Sequence, residues 1–415
     1  MSDPKGFPSL KAFLDSVSPT AYKALSARAE SKVAHEDALE EMKAHILKLY
    51  DKIEVAHSFM DETGAIYDCI PVEQQPSLKG KSPPEAPDAP PAAGGQYEAR
   101  KESLLGSPLG PARKDRHGNA MQCPAGTIPM RRVTLEDLSR FETLQDFFRK
   151  GPRGAGRPPL AIEPPTVPET HRWAIAVQTV QNGGGHSVLS IWDPPIGGDQ
   201  FFSLSQHWYI GGSEANRQTL ECGWQVSPAF YGDTKPHLFT YWTADNYQTT
   251  GCYNLTCPAF VQTSSTFAPG MALGPTSVIG GAQCNIELTY QHTGGRWWLY
   301  VNGTARSNAI GYYPDTIYKG GALAGSASEI NYGGEVVGTA SFPPMGSGRF
   351  ANEGWQKAAY QRTIGYYQPQ GGAMANASLT AVQSWPRCYT ALVVMDGPWL
   401  ETLWYGGPGG LLDRC

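Results

Sequence analysis

All 11 tryptophans of this 415-residue chain lie at or after Trp173, and charge runs the opposite way. Residues 1–170 hold 22 of the 33 Lys+Arg and 24 of the 38 Asp+Glu, leaving 11 and 14 to the longer remainder. One hydrophobic core does not produce such a step, and the length alone calls for at least two units. The step is therefore read as a boundary, with one unit over 1–150, a linker over 151–170 and a second unit over 171–415.

From His171 onward the text consists of short runs punctuated by Gly, among them RWAIAVQTV, QHWYIGG, TLECGWQV, LFTYWTAD, NIELTYQ, RWWLYVNG and ALVVMDG. Their β-branched and aromatic content, their spacing and the lack of strongly amphipathic helices predict a mainly β fold, an antiparallel sandwich. Exposed aromatics on several strands would line a groove for something large and extended. The first unit is smaller and partly helical. Leu39, Met42, Ile46, Leu49 and Ile53 recur at spacings of three and four, which predicts a helix within 26–55. Thr134 with Asp137 forms an N-cap signal for a second helix running through Leu138, Phe141, Leu144, Phe147 and Phe148. Between them SPPEAPDAPPAAGG (82–95) reads as a linker with no means of burying anything. The Pro-rich stretch at 151–169 should be extended and open to proteases.

The net charge of -5 and the absence of a basic, aromatic-laced block give no sign of a nucleic-acid partner. No apolar run is long enough to span a membrane. The start MSDPKGFPSL lacks the signature of a signal peptide, so the chain either stays inside or begins after a removed signal. Eight cysteines and three Asn-x-Ser/Thr sequons (Asn254, Asn302, Asn376) favour an oxidising, secreted setting. Cys252 and Cys257 bracket a short loop suited to a local disulfide, and Cys415 stands where a disulfide would tie down a terminus.

Several chemistries can be set aside. No GxSxG or HExxH is present, no Cys/His spacing suits a metal, and GKS at 80–82 lacks the Gly of a P-loop because position 75 is Gln. Acids remain, and the second unit has only 14. Most sit in turn-like text. Glu221, in TLECGWQV, shares a strand face with Gly223 and Gln225, while Leu220, Cys222, Trp224 and Val226 face the other way. Glu335, in EINYGGEVVGT, has Gly333 as its same-face neighbour. Each acid thus sits beside a missing side chain, which reads either as a solvated strand face or as a floor cleared for a substrate. If their strands are neighbours, one acid would keep its proton and the other would not, the division of labour of a general acid and a general base. Paired carboxylates serve peptide and glycoside hydrolysis equally well.

The run from Leu220 to Gln262, the motif NYGGEVVG and the tail from Cys388 resemble the neprosin family of glutamic peptidases. YDCIPVEQQPSL (67–78) and CPAGTIPMRRVTLEDLSRF (123–141) resemble that family's activation region. The resemblance implies an acid-acting endopeptidase of β-sandwich fold, cutting on the carboxyl side of proline. It would be made as a zymogen with its own propeptide as inhibitor and proline-rich peptides or proteins as substrates. Glu221 and Glu335 fall on the family's catalytic glutamates. One would deprotonate a water and the other would protonate the carbonyl oxygen, with no cofactor or metal. Gln225, Trp224 and Tyr241 are the expected substrate contacts, and a monomer is expected. The family's disulfides fall on Cys252–Cys257 and Cys388–Cys415, and of the three ways to pair the four cysteines that remain, Cys222–Cys284 with Cys69–Cys123 is the one expected. Pro152, Pro158, Pro159, Pro164, Pro165 and Pro168 lie where such an enzyme would release its own propeptide. The competing expectation is a carbohydrate-binding or glycoside-hydrolysing sandwich, its tryptophans stacking on sugars.

Overall fold

A computed structural model describes residues 3–90, 102–151, 170–397 and 399–414. The β-rich runs after His171 pair into two antiparallel sheets laid face to face. The first holds, in spatial order, β10 (Cys252–Tyr253), β9 (Pro236–Thr243), β8 (Gln218–Val226), β7 (Gln200–Gly211), β15 (Ala327–Gly338), β5 (His171–Asn182) and β19 (Thr380–Gln383). The second runs β11 (Val261–Gln262), β14 (Ala309–Pro314), β13 (Arg296–Val301), β12 (Gln283–Thr293), β6 (Gly184–Ser190), β17 (Ala359–Tyr367), β21 (Leu400–Gly406) and β20 (Thr390–Gly397). To it are added β18 (Met374–Asn376) on β17 and β3 (Glu102–Leu104), from the N-terminal unit, in parallel on β12. A small pair, β16 (Ser341–Phe342) and β22 (Gly410–Leu411), completes this half.

Alternation along each strand sends one set of side chains between the sheets. Trp224 Nε1 donates across to the Ser190 carbonyl at 2.9 Å, and the hydroxyls of Tyr209 and Tyr332 reach the Gly185 and Gly365 carbonyls. Trp224 and Trp297 lie between the sheets, whereas Trp208 and Trp173 lie opposite Glu221 and Glu335 on the other face and Trp298 packs under Ala86 and Ala89, so the aromatics expected to be exposed are buried. β8 is buried along its whole length. Its inner face meets the second sheet, and Glu221 on the other face meets the N-terminal unit.

That unit packs helices α1 (Leu10–Val17), α2 (Tyr22–Ser26) and α3 (Glu36–Leu49) near a three-stranded sheet of β1 (His57–Met60), β2 (Ile66–Pro71) and β4 (Thr127–Arg131). The helix expected within 26–55 is thus the narrower α3. The expected second helix is two, α4 (Leu135–Ser139) and α5 (Leu144–Phe148), separated by a turn with a fresh cap at Thr143. Thr134 and Asp137 do form a capping box on α4. A buried ion pair ties the unit together: Arg132 donates to Asp68 at 2.8 and 2.6 Å, and Ser58 Oγ donates to the same carboxylate. Stranding either ion would cost about 3–5 kcal/mol.

The N-terminal unit is wrapped onto the sandwich rather than tethered beside it. Gln75 and Gln262 exchange side-chain and main-chain hydrogen bonds, Tyr67 donates to the Gly270 carbonyl, and Glu102 pairs with Arg362 at 2.8 Å. The reading of 82–95 as a stretch that buries nothing is corrected over 82–90; residues 91–95 lie outside the described residues. Ala86 and Ala89 pack with Trp298, Tyr300 and Tyr312, while Tyr300 and Tyr367 donate to the carbonyls of Pro87 and Pro90. Proline-rich backbone keeps its carbonyls free, so it can lie across an aromatic surface that supplies hydroxyl donors.

Cys69–Cys123 and Cys252–Cys257 are disulfides. Cys388 is disulfide-bonded, and Cys415, its expected partner, lies outside the described residues. Cys222 and Cys284 are not joined, which corrects that pairing; both are buried free thiols. Cys222 sits mid-strand in β8 among the buried phenols of Tyr209, Tyr290 and Tyr332, whereas Cys284 opens β12 of the other sheet, in register with Ser103. Burial pushes the Cys222 thiol well up, which keeps it inert. The linker prolines at 152–168 lie outside the described residues.

Candidate active site

Glu221 and Glu335 face the same side of the first sheet, the side turned away from the second. Their strands are not neighbours, the condition set for the acid–base reading, because β7 runs between them. Strand spacing puts the two strands roughly 10 Å apart across β7. The register makes the separation useful. Glu221 lies opposite Trp208 of β7, and Glu335 lies opposite Leu204, with Gln206 between those two positions. Gln206 is itself flanked across both ladders by glycines, Gly223 and Gly333. A Cβ on Gly223 would lie 2.0 Å from the Ser205 carbonyl oxygen, and one on Gly333 would lie 2.5 Å from that of Ala174. These glycines are thus required by close strand packing. That replaces the reading of them as room for a substrate, and they leave Gln206 as the side chain between the acids.

Glu221 is fully buried and accepts four hydrogen bonds. Tyr247 Oη and Thr219 Oγ1 donate to Oε1 at 2.6 and 2.9 Å, while Gln206 Nε2 and Lys150 Nζ donate to Oε2 at 3.0 and 2.5 Å. Glu335 accepts two. Lys150 Nζ donates to Oε2 at 2.8 Å, and His171 Nδ1 bonds Oε1. Burial pushes the Glu335 carboxyl up, but the Lys150 ammonium and then His171 outweigh it and hold the group down at about 2. One ammonium therefore clamps the two acids, bringing the facing oxygens within the sum of two hydrogen-bond lengths of each other.

Lys150 arrives from the N-terminal unit two residues after α5. That helix is anchored on both sides: Phe147 stacks on Phe230 of the sandwich at 5.0 Å, and Phe148 meets His45 of α3 edge-on at 5.1 Å. Tyr247 is carried by a loop in which Asn246 and Tyr247 both adopt left-handed backbone, with φ of 58° and 61°. Such residues are strained, and Asp245 holds them by accepting from Thr249 and Thr250. This strained loop places Tyr247 Oη on the Glu221 carboxylate.

The expected substrate contacts divide. Tyr241 lies opposite Glu221 in the ladder and stacks on Tyr247. Gln225 is on the right face but bonds Tyr231 Oη at 3.2 Å; Gln206, from the neighbouring strand, is the amide that meets the acid. Trp224 points into the space between the sheets, away from both glutamates, and its expected substrate contact is corrected. Gln206, His171, Tyr247 and Lys150 were not singled out from the sequence. Each reaches its glutamate from another strand, loop or unit, and no spacing along the chain marks that. Among the described residues no group of three or more His, Cys, Asp or Glu is placed to hold a metal ion.

Fold and site together define a class: an antiparallel β-sandwich with a buried glutamate pair, covered by a segment from its own N-terminal unit. Residues 199–408 match the family model described as neprosin, and residues 58–177 match that of the neprosin activation peptide. The chain belongs to the neprosin family of glutamic peptidases, with its activation region preceding the peptidase domain. Both glutamates, Gln206 and Tyr247 lie inside the first match, and Lys150 and His171 inside the second. Among solved structures, it is similar to scytalido-glutamic peptidase bound to a transition-state analogue inhibitor, at 10% identity over 57% of this chain and 98% of that one, TM-score 0.34. It is also similar to SCP-B, an eqolisin-family peptidase in complex with the tripeptide Ala-Ile-His (9% identity, 58% and 98% coverage, TM-score 0.30). A third is CG-16, a homodimeric agglutinin from chicken liver (11%, 40% and 96%, TM-score 0.21).

Proposed function

We propose that this protein is a secreted, acid-acting endopeptidase that cuts on the carboxyl side of proline, with Glu221 and Glu335 as its catalytic pair, and that it is stored as a zymogen. The observation that carries this reading is the single ammonium of Lys150 bonded to both glutamates at once. A pair of reagents so occupied can neither take a proton from water nor give one to a carbonyl.

Once Lys150 leaves, two like charges this close cannot both persist, and the pair keeps one proton. His171 remains beside Glu335, while the partners left to Glu221 are the neutral Tyr247, Thr219 and Gln206. That asymmetry makes Glu335 the base and Glu221 the acid. Glu335 takes a proton from water as its oxygen attacks the carbonyl carbon, and Glu221 gives its proton to the carbonyl oxygen. On collapse the amide nitrogen leaves with the proton from Glu335, and Glu221 recovers its own. Gln206, lying between the acids, is placed to donate to the tetrahedral oxygen.

Release is driven by acid, and the sign follows from Glu335. Closed, its carboxyl is held at about 2. Without Lys150 the same burial acts with less to oppose it, so the open form binds a proton at higher pH. The contribution to closure is whole above the open-state pKa and is lost as the pH falls from there toward about 2. Self-cleavage after the prolines of 151–170 then makes release permanent.

A fluorogenic peptide set differing only in the residue before the scissile bond, incubated at acidic and neutral pH, tests this reading. Acid-dependent cleavage after proline is expected, and cleavage that ignores that residue contradicts the assigned specificity. Tyr247→Phe keeps the ring on Tyr241 but removes a donor to Glu221. A roughly tenfold lower kcat with little change in KM is expected, and an unchanged kcat would take Tyr247 out of the mechanism.

A further inference from the structure

The two tryptophans beside the glutamates are not equivalent. Trp173 lies opposite Glu335 in the ladder, but His171 stacks on it at 5.5 Å and 19°, so that indole is occupied by a residue of the site itself. Trp208 lies opposite Glu221 on one side and Asn331 on the other. Over its ring, 4.9 Å from the centroid, lies Lys150 Nζ, the same atom that bonds both carboxylates. Trp208 is only 1% exposed with the propeptide in place. Withdrawing Lys150 uncovers this indole beside the reacting oxygens.

Whatever replaces the lysine must put its scissile carbonyl where Nζ now sits, within reach of both acids. The ring or side chain attached next to that carbonyl is then carried onto the Trp208 face. An indole face attracts a cation or a flat ring whose C–H bonds are polarised by a neighbouring amide. Proline has such a ring and loses no side-chain rotamer freedom on docking. A lysine loses several rotors. It also loses most of the charge attraction it enjoys in the zymogen, because acid leaves the glutamate pair with at most one charge.

The geometry points to Trp208 as the wall of the subsite that holds the proline ring on the amino side of the scissile bond. This rests on the peptidase reading above. Lys150 is the placeholder for that ring in the zymogen.

The test uses the full-length protein incubated in acid and matched peptides with Pro, Ala or Lys before the scissile bond, comparing wild type with Trp208→Leu and Trp208→Phe. The Pro:Ala ratio of kcat/KM is expected to fall about tenfold in Trp208→Leu, and only about threefold in Trp208→Phe, which keeps a ring face and reports even where the Leu variant fails to fold. A Pro:Ala ratio that stays at the wild-type value in the folded variants overturns the assignment, as does a wild-type preference for Lys over Pro. Failure of the underlying reading looks different: wild type would then cleave none of the three peptides, or Glu335→Gln would cleave them equally well.

Discussion

Glu335→Gln is expected to lower kcat/KM on a proline peptide by about a thousandfold, the order that a positioned general base contributes. The substitution conserves shape, and its amide can still meet His171, so the loss is chemical rather than structural. It also removes one of the two charges holding Lys150, so the variant should sit less firmly in its closed form even though it cannot act once open. These opposite effects separate the roles. A merely structural Glu335 would change the melting temperature and the rate together; a catalytic one leaves a folded, openable protein without activity. Retention of a tenth or more of the wild-type rate would remove Glu335 from the base position.

Lys150→Met is expected to shift the pH at which the chain opens and shortens upward by about two to three and a half units. The argument runs through the buried cluster. Glu221 and Glu335 both lie away from water, and the ammonium compensates both. Taking one partner from a buried charge cluster costs about 3–5 kcal/mol, and here Glu335, buried but with its carboxyl held down by the ammonium, relieves it by taking up a proton at higher pH. Each unit of pH is worth about 1.4 kcal/mol for one proton, so a penalty of that size moves the transition by about two to three and a half units rather than tenths. The remaining anchors, Phe147 on Phe230 and Phe148 against His45, keep α5 docked at neutral pH, so the variant should still be isolable as a full-length chain. A gel series across pH reads this directly. An unchanged threshold would mean that acid opens the zymogen through other carboxylates of the charge-rich N-terminal unit.

Much of this was legible in the chain because it depends on local pattern. Alternation put Glu221 and Gln225 on one face and Trp224 on the other, and the ladder keeps them so. The Thr134–Asp137 cap and the short Cys252–Cys257 bridge were readable for the same reason: their partners lie within five residues. What parity cannot supply is the lateral neighbour. Which strand lies beside β8, and in what register, decides that Gln206 rather than Gln225 meets the acid. Lys150 and His171 are 71 and 164 residues from their partners in sequence, and neither has a local signature. The Cys222–Cys284 pairing failed for the converse reason. It joined cysteines left over from the other bridges, and being left over carries no information about distance.

The measurement that bears most directly on the whole account is a time course of the full-length protein in acid, followed by intact-mass spectrometry, with Glu335→Gln in parallel and a proline peptide present in both. The account predicts that wild type alone loses its N-terminal unit, by cleavage after prolines between 152 and 168, and that peptide hydrolysis rises as the short form accumulates. Shortening at the same sites and rate in purified Glu335→Gln, or a wild-type chain and peptide that stay intact in acid, would contradict it.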